Sequence, residues 1–297
     1  MSTRTLSSRI VELITKLDKE NPAMLLRIPT EWKRFIGRSV IARFGPSDDD
    51  PLYLDGILFV GAGPAKHRMW IAEDNVLLRR VLESHLYPGM AAVDVGANVG
   101  YHTLVAARAV GPKGRVYAVE PAKYNIEVLK KNVLINQFGN VVIIPFAAGS
   151  HHEERDFWLR HVGHSEQRNS FYPDHVDVAN ATVTVEKVQV APLDDLIEGN
   201  VDLVKLDVEG AELEALAGMT RLLRNPSVQL IVEWHPLLQI ASGNGAIDLP
   251  MFLQSQGFEL HQVDHRNLTR LERPQFDSLA SSLIDNEQFV DLYAYRA

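Results

Sequence analysis

From about residue 90 onward, two kinds of apolar pattern alternate along the chain: short unbroken runs and amphipathic stretches with helical spacing. Ala91 to Val95, Arg115 to Glu120 and Val141 to Phe146 are runs, separated by helical patterns over His102 to Val110 and Tyr124 to Asn136. The order returns with a strand over Val201 to Asp207, a helix from about Ala211 to Leu223 and a strand over Val228 to Glu233. Unbroken strands between amphipathic helices are buried on both faces, which predicts an α/β fold with a mostly parallel sheet covered on either side. Upstream, Asp74 to Leu86 reads as a helix stopped at Pro88-Gly89. Downstream, Met251 to Gln256 reads as one or two helical turns. Phe258 to Val263 and Phe289 to Tyr295 alternate as strands, placed as a closing antiparallel hairpin on the sheet edge.

Two stretches depart from this rhythm. Between about 150 and 192, Asp156 to Arg160 and Thr182 to Val190 alternate like an antiparallel pair around a polar loop from His161 to Asn180. A loop of that length in a compact domain belongs to a lid, a binding loop or a disordered tract. At the start of the chain, Ile10, Leu13, Ile14 and Leu17 recur at helical spacing, ahead of Pro22 and Pro29. Ser39 to Phe44 and Leu52 to Val60 then read as strands around the turn-rich residues 45–50. The implied division is an α+β cap over 1–72 and a main domain over 73–297 that carries the inserted hairpin and loop at about 150–192.

Composition narrows the partners. The 297 residues are 46% hydrophobic and 23% charged, with a net charge of -8 and no basic stripe, which argues against nucleic acid. The absence of cysteine excludes disulfides, zinc–thiolate sites and cysteine nucleophiles, and suits a reducing compartment. No secretory apolar segment is visible at the N-terminus, and the longest apolar stretch, Val141 to Ala148, is far short of the ~20 residues of a membrane span. The expectation is a soluble, cytoplasmic protein with no membrane span. Nothing in the sequence sets its oligomeric state.

The candidate chemistry starts at Val93 to Thr103, Val-Asp-Val-Gly-Ala-Asn-Val-Gly-Tyr-His-Thr, with Glu120 twenty residues after Gly100. Strand, glycine turn, helix and a second strand ending in a carboxylate make a nucleotide-binding half-fold. A dinucleotide turn needs glycine at its first, third and sixth positions, which here hold Gly96, Asn98 and Tyr101, so a nicotinamide oxidoreductase is disfavoured. Gly96, Asn98 and Gly100 at the first, third and fifth positions, with Asp94 two residues ahead, fit a turn that binds S-adenosylmethionine. Asp94 orients this loop and is placed to meet the cofactor's ammonium group, and Glu120 is suited to both ribose hydroxyls. Pro121-Ala122 and Phe146-Ala147-Ala148-Gly149 are positioned to flank the adenine, or simply to pack at strand ends.

Acids gather at two further strand ends. Asp207 and Glu209 are two residues apart, as are Glu233 and His235, so each pair points one way in extended chain. Converging beside the cofactor's sulfur, they have two uses: taking a proton from an acceptor hydroxyl, or holding a divalent cation that orients a diol. The blander readings are a helix cap at Glu209 and a surface His235. His102 either reaches the site or faces solvent, Lys205 is expected to snorkel, and Trp70, Trp158 and Trp234 belong either to the core or to an acceptor pocket.

These motifs, together with Asn132…Leu134-Ile135-Asn136, Leu193-Asp194-Asp195-Leu196 and Lys205-Leu206-Asp207-Val208-Glu209-Gly210-Ala211-Glu212, resemble the FkbM family of S-adenosylmethionine-dependent methyltransferases over about residues 90 to 240. The resemblance implies a Rossmann-like seven-stranded methyltransferase sheet and methylation of hydroxyl groups on sugars or secondary metabolites. It also implies cofactor contacts at Asp94, Gly96, Gly100 and Glu120, with a site role near Asp207. Asn169 and Ser170 resemble a small polar motif near that family's active site. The acceptor stays open: N-methylation, a lipid or protein acceptor, and a non-catalytic nucleoside-binding protein are the alternatives.

Overall fold

A computed structural model describes residues 52–54, 56–60, 76–162, 165–166, 169–172, 182–263 and 268–296, all within one compact unit, Pro51–Ala297. The helix expected over 10–17, the strand over 39–44, Trp70 and most of the 161–180 loop lie outside the described residues. Leu52–Leu54 (β1) and Ile57–Phe59 (β2) pair antiparallel, so the single strand expected from Leu52 to Val60 is split, with Gly56 (φ 87) in the turn.

The main chain of elements follows: Val76–His85 (α1), Ala91–Val95 (β3), Tyr101–Val110 (α2), Arg115–Val119 (β4), Lys123–Ile135 (α3) and Val141–Ile144 (β5). Ala147–Ala148 (β6), Glu153–Val162 (β7), Ser165–Glu166 (β8) and Thr182–Ala191 (β9) form a second sheet, and the expected antiparallel pair is its β7–β9 ladder. Then come Leu193–Leu196 (α4), Leu203–Leu206 (β10), Glu212–Ala217 (α5), Thr220–Leu223 (α6), Gln229–Trp234 (β11), Pro236–Ala241 (α7), Asp248–Ser255 (α8), Glu259–Val263 (β12), Leu268–Leu271 (β13), Phe276–Asp285 (α9) and Val290–Tyr295 (β14). No helix among the described residues is long and apolar enough to cross a membrane.

The main sheet runs β13-β12-β14-β11-β10-β3-β4-β5, with the five strands from β11 to β5 parallel and β14 antiparallel to both its neighbours. This is the doubly wound arrangement read from the alternating runs, with eight strands in place of seven. The extra edge strand, Leu-Thr-Arg-Leu, is too short and polar to announce itself. β12 and β14 pair, but they are not an edge hairpin: α9 intervenes in sequence, and β14 is inserted between β11 and β12. The helix expected from Ala211 to Leu223 breaks into α5 and α6 at Gly218, the C-cap of α5, which packs backbone to backbone against Gly149. A Cβ there would lie 1.9 Å from the Gly149 oxygen.

The core sits where the unbroken runs put it. Val93, Val95, Val204, Leu206, Leu230, Val232 and Trp234 pack with Leu216, Leu222, Leu253 and Phe276, while the alternate positions Ala92, Ala118 and Ile231 are buried too. Each fully buried aliphatic side chain of this kind contributes about 1.5–3 kcal/mol. The hairpin is tied on differently. Leu58 N donates to Asn136 Oδ1 (2.9 Å) and Asn136 Nδ2 donates back to Leu58 O (2.6 Å). Val60 N donates to Asn132 Oδ1 (2.8 Å), and Asn132 Nδ2 donates to Val60 O (3.1 Å) and to Val99 O (2.7 Å). Two asparagines one helical turn apart thus offer the β2 segment the donors and acceptors of a neighbouring strand.

Candidate active site

The sheet order reverses between β3 and β10, and ligands of open α/β sheets sit outside the strand ends at that point. The turn after β3 is built for close approach. Gly96 (φ 75) lies so near the end of β10 that a Cβ would fall 1.9 Å from the Asp207 oxygen. Asn98 occupies the left-handed region (φ 50), its side chain accepting the Val99 N–H at 2.8 Å. Gly100 (φ 98) starts α2 against α3, where a Cβ would meet Leu129 Cδ1 at 2.4 Å. Asn98 N donates to Glu120 Oε2 (2.8 Å), while Glu120 Oε1 accepts from Ala122 N (3.0 Å) and Asn125 Nδ2 (3.2 Å). Burial pushes the Glu120 carboxyl above its ordinary value despite those donors.

Beneath the turn lies an internal ion cluster. Lys205 Nζ is 3.2 Å from Asp94 Oδ1 and 3.2 Å from Asp207 Oδ2, and Thr103 Oγ1 donates to Asp94 Oδ2 at 2.6 Å. Lys205 is buried, which corrects the expectation that it snorkels. Burial would lower the Lys205 pKa, but the two carboxylates outweigh it and raise it. For Asp94 burial acts upward, yet Lys205, with help from His102 and Thr103, holds the carboxyl below its usual range. No group of three His, Cys, Asp or Glu able to hold a metal ion occurs among the described residues.

Above this cluster is a cavity of about 330 Å³. Gly96, Asn98, Gly100, Tyr101, Glu120, Pro121, Ala147, Asp207, Glu209, Glu233 and His235 all line it, whereas Asp94 supports it from below. The structure therefore gathers the candidate residues at one place, but the extended geometry expected at Asp207 and Glu209 is absent. β10 ends at Leu206, and Glu209 (φ 52) and Gly210 (φ 98) turn left-handed. That turn is held by Glu212, not Glu209: Glu212 Oε1 accepts from Val208 N (3.0 Å) and Gly210 N (3.2 Å), and Oε2 accepts from Gln239 Nε2 (2.6 Å). Burial pushes Glu212 up to about 7.

At the end of β11, Glu233 lies opposite Asp291 of β14. Burial, then the charges of Asp207, Glu209, Glu212 and Asp291, raise Glu233 well above its ordinary value. Burial and Asp207 raise Asp291 to about 7. The His235 ring is stacked on Phe289, with centroids 6.1 Å apart at 25°. His102, which sequence left between site and solvent, is on the cavity wall and 9% exposed, and its Nε2 has no hydrogen-bond partner. Burial and the Lys205 charge lower it to about 4, so it is a neutral imidazole. Ser170 is buried beside the cavity, its Oγ donating to Glu209 O at 3.1 Å, and Asn169 reaches the lining. Trp234 belongs to the core, its Nε1 donating to Ala246 O at 2.9 Å, and Trp158 is not part of the lining.

The residues present fit S-adenosylmethionine. Gly96 and Gly100 let the turn lie tight against Asp207 and Leu129 while lining the cavity, a buried carboxylate closes the end of β4, and Pro121, Phe146 and Ala147 add apolar surface to the lining. The volume is also within the range of small-molecule sites.

Comparison with known proteins agrees. Residues 94–260 match the methyltransferase FkbM domain. The probable cobalt-precorrin-6B C(15)-methyltransferase (decarboxylating) of Sulfurisphaera tokodaii is 34% identical over 74 residues, 25% of this chain and 38% of that protein. The hexuronic acid methyltransferase AglP of Haloferax volcanii is 31% identical over 151 residues, 48% of this chain and 54% of that protein. The chain thus spans about half or less of the length of these curated relatives. The FkbM methyltransferase structure from Methylobacillus flagellatus KT is similar at a TM-score of 0.44 and 16% identity, over 76% of this chain and 60% of that one. With the domain match covering more than half of its length, the chain belongs to the FkbM family of S-adenosylmethionine-dependent methyltransferases.

Proposed function

We propose that this protein methylates a hydroxyl group of a small polyhydroxylated molecule, a sugar or a secondary metabolite. The observation that carries the reading is that one cavity joins a glycine turn and Glu120 on one side to the carboxylates of Asp207 and Glu233 on the other. Gly96, Asn98, Gly100 and Tyr101 would hold the methionine part of S-adenosylmethionine, Glu120 its ribose, and Pro121 and Ala147 its adenine. When bound, that cofactor supplies an electrophilic methyl group, whose carbon–sulfur bond breaks as the carbon–oxygen bond forms, the sulfur keeping the electron pair. Asp207, anchored through Oδ2 by Lys205, takes the proton released by the acceptor hydroxyl. Glu233, Glu209 and His235 orient that hydroxyl, and holding it in line provides much of the acceleration. The hexuronic acid named for the Haloferax relative supports a sugar acceptor. The absence of cysteine supports a cytoplasmic setting.

Calorimetry with S-adenosylmethionine and its demethylated product, followed by mass spectrometry of hydroxylated acceptors, tests this reading. The expected result is micromolar binding of both nucleosides and gain of one methyl per acceptor. Failure to bind either nucleoside overturns it.

A further inference from the structure

The acceptor side of the cavity has a charge character that separates it from a uronate site. Lys205 is the one lysine or arginine among the described residues that line the cavity, and Asp94 and Asp207 already share its ammonium. Glu233 stands on the same wall, with Asp291 directly across the β11–β14 ladder. The wall also carries Phe289, 41% exposed and stacked on His235, as an apolar ring next to those acids. The unpartnered Nε2 of His102 is a further polar group on a lining residue, nine-tenths buried.

These features sort acceptors by chemistry. A hydroxyl both donates and accepts, so it serves carboxylates and either tautomer of His102. A sugar ring also has an apolar C–H face to lay on Phe289. A carboxylate or phosphate can only accept, finds no unshared cation among the described lining residues, and meets the carboxylates of Asp207 and Glu209 on the lining.

Building on the function proposed above, we infer that this site selects a polyol or sugar free of acidic groups near the methylated hydroxyl, either uncharged or bearing an amine. It thereby differs in acceptor class from its hexuronic-acid-methylating relative.

The test uses the full chain loaded with S-adenosylhomocysteine and three matched probes: methyl β-D-glucopyranoside, its 2-amino-2-deoxy analogue and its uronate. Binding is read by saturation-transfer NMR, and kcat/KM for each probe is measured with S-adenosylmethionine by mass spectrometry. The neutral and amino glycosides are expected to bind and to be methylated with kcat/KM about tenfold or more above the uronate. Glu209→Gln should narrow that ratio, whereas Phe289→Ala should weaken all three probes alike. A uronate that binds as well as the neutral glycoside overturns the inference, and so does failure of all three to bind a chain that holds S-adenosylhomocysteine. Failure to hold S-adenosylhomocysteine overturns the underlying functional reading instead.

Discussion

Lys205→Met removes the ammonium between Asp94 and Asp207 while keeping a side chain of similar length. Each contact is 3.2 Å. At an effective dielectric of about 20, each corresponds to a gross attraction of ~5 kcal/mol. Desolvation of the lysine offsets much of that, so the net loss follows the rule for breaking a buried pair, about 3–5 kcal/mol. The pH dependence is more diagnostic than the size. In the native protein Asp94 is held below 3.8, so its stabilisation is present above that value and is lost as pH falls through the folded pKa. Without Lys205, burial acts on Asp94 with only His102 and Thr103 opposing it, and the folded pKa rises. Stability from that group is then full in acid and is lost as pH climbs. Urea unfolding from pH 5 to 8 should therefore show the gap between native and variant widening with pH. Asp94→Asn combined with Lys205→Met should recover part of the loss, because the stranded charge is gone. A gap below about 1 kcal/mol, or one that does not change with pH, would refute the account of Lys205 as the internal cation.

Three further outcomes follow from the same geometry. Gly96→Ala forces a Cβ to 1.9 Å from the Asp207 oxygen at φ 75. It should cost about 1–3 kcal/mol of stability by thermal melt and weaken S-adenosylhomocysteine binding more than tenfold by calorimetry. Glu120→Gln removes the charged acceptor but keeps an oxygen for Asn98 or Ala122, so the fold should persist while nucleoside affinity falls about 10–100-fold, the value of a charge-assisted hydrogen bond. Glu212 is raised from 4.5 to about 7, so its contribution is full below 4.5 and is lost as pH rises through 7, at a cost of about 3 kcal/mol. Glu212→Gln should flatten that part of the stability–pH profile, with Gln239 turning its unpartnered Oε1 toward the new amide.

The parallel strands, the glycine turn and Glu120 were legible because each depends on spacing within about thirty residues. What escaped depends on neighbours across the sheet. Lys205 reads as a snorkelling side chain until β10 is placed beside β3, where its register partner is Asp94. Asp291 gains meaning only when β14 inserts next to β11 and sets it opposite Glu233. His102, at the first turn of α2, reads equally as reaching the site or facing solvent until α2 is packed down and buries the imidazole. Glu212 did carry a local signal, a carboxylate at the start of a helix just after Glu209-Gly210. Its role still required the left-handed turn that aims the Val208 and Gly210 amides at it.

One side chain joins regions far apart in sequence. Asn132 Nδ2 donates both to Val60 O, beside the β2 strand, and to Val99 O, inside the nucleotide turn. Whatever stiffens the turn must also tighten that strand, and peeling the strand away must slacken the turn, since such linkage is reciprocal. Slower deuterium uptake at Val60 on adding nucleoside would be its signature. The Pro51–Ala297 unit would then sense occupancy of its cavity on the outer side of α3, through a tie bar made of one amide.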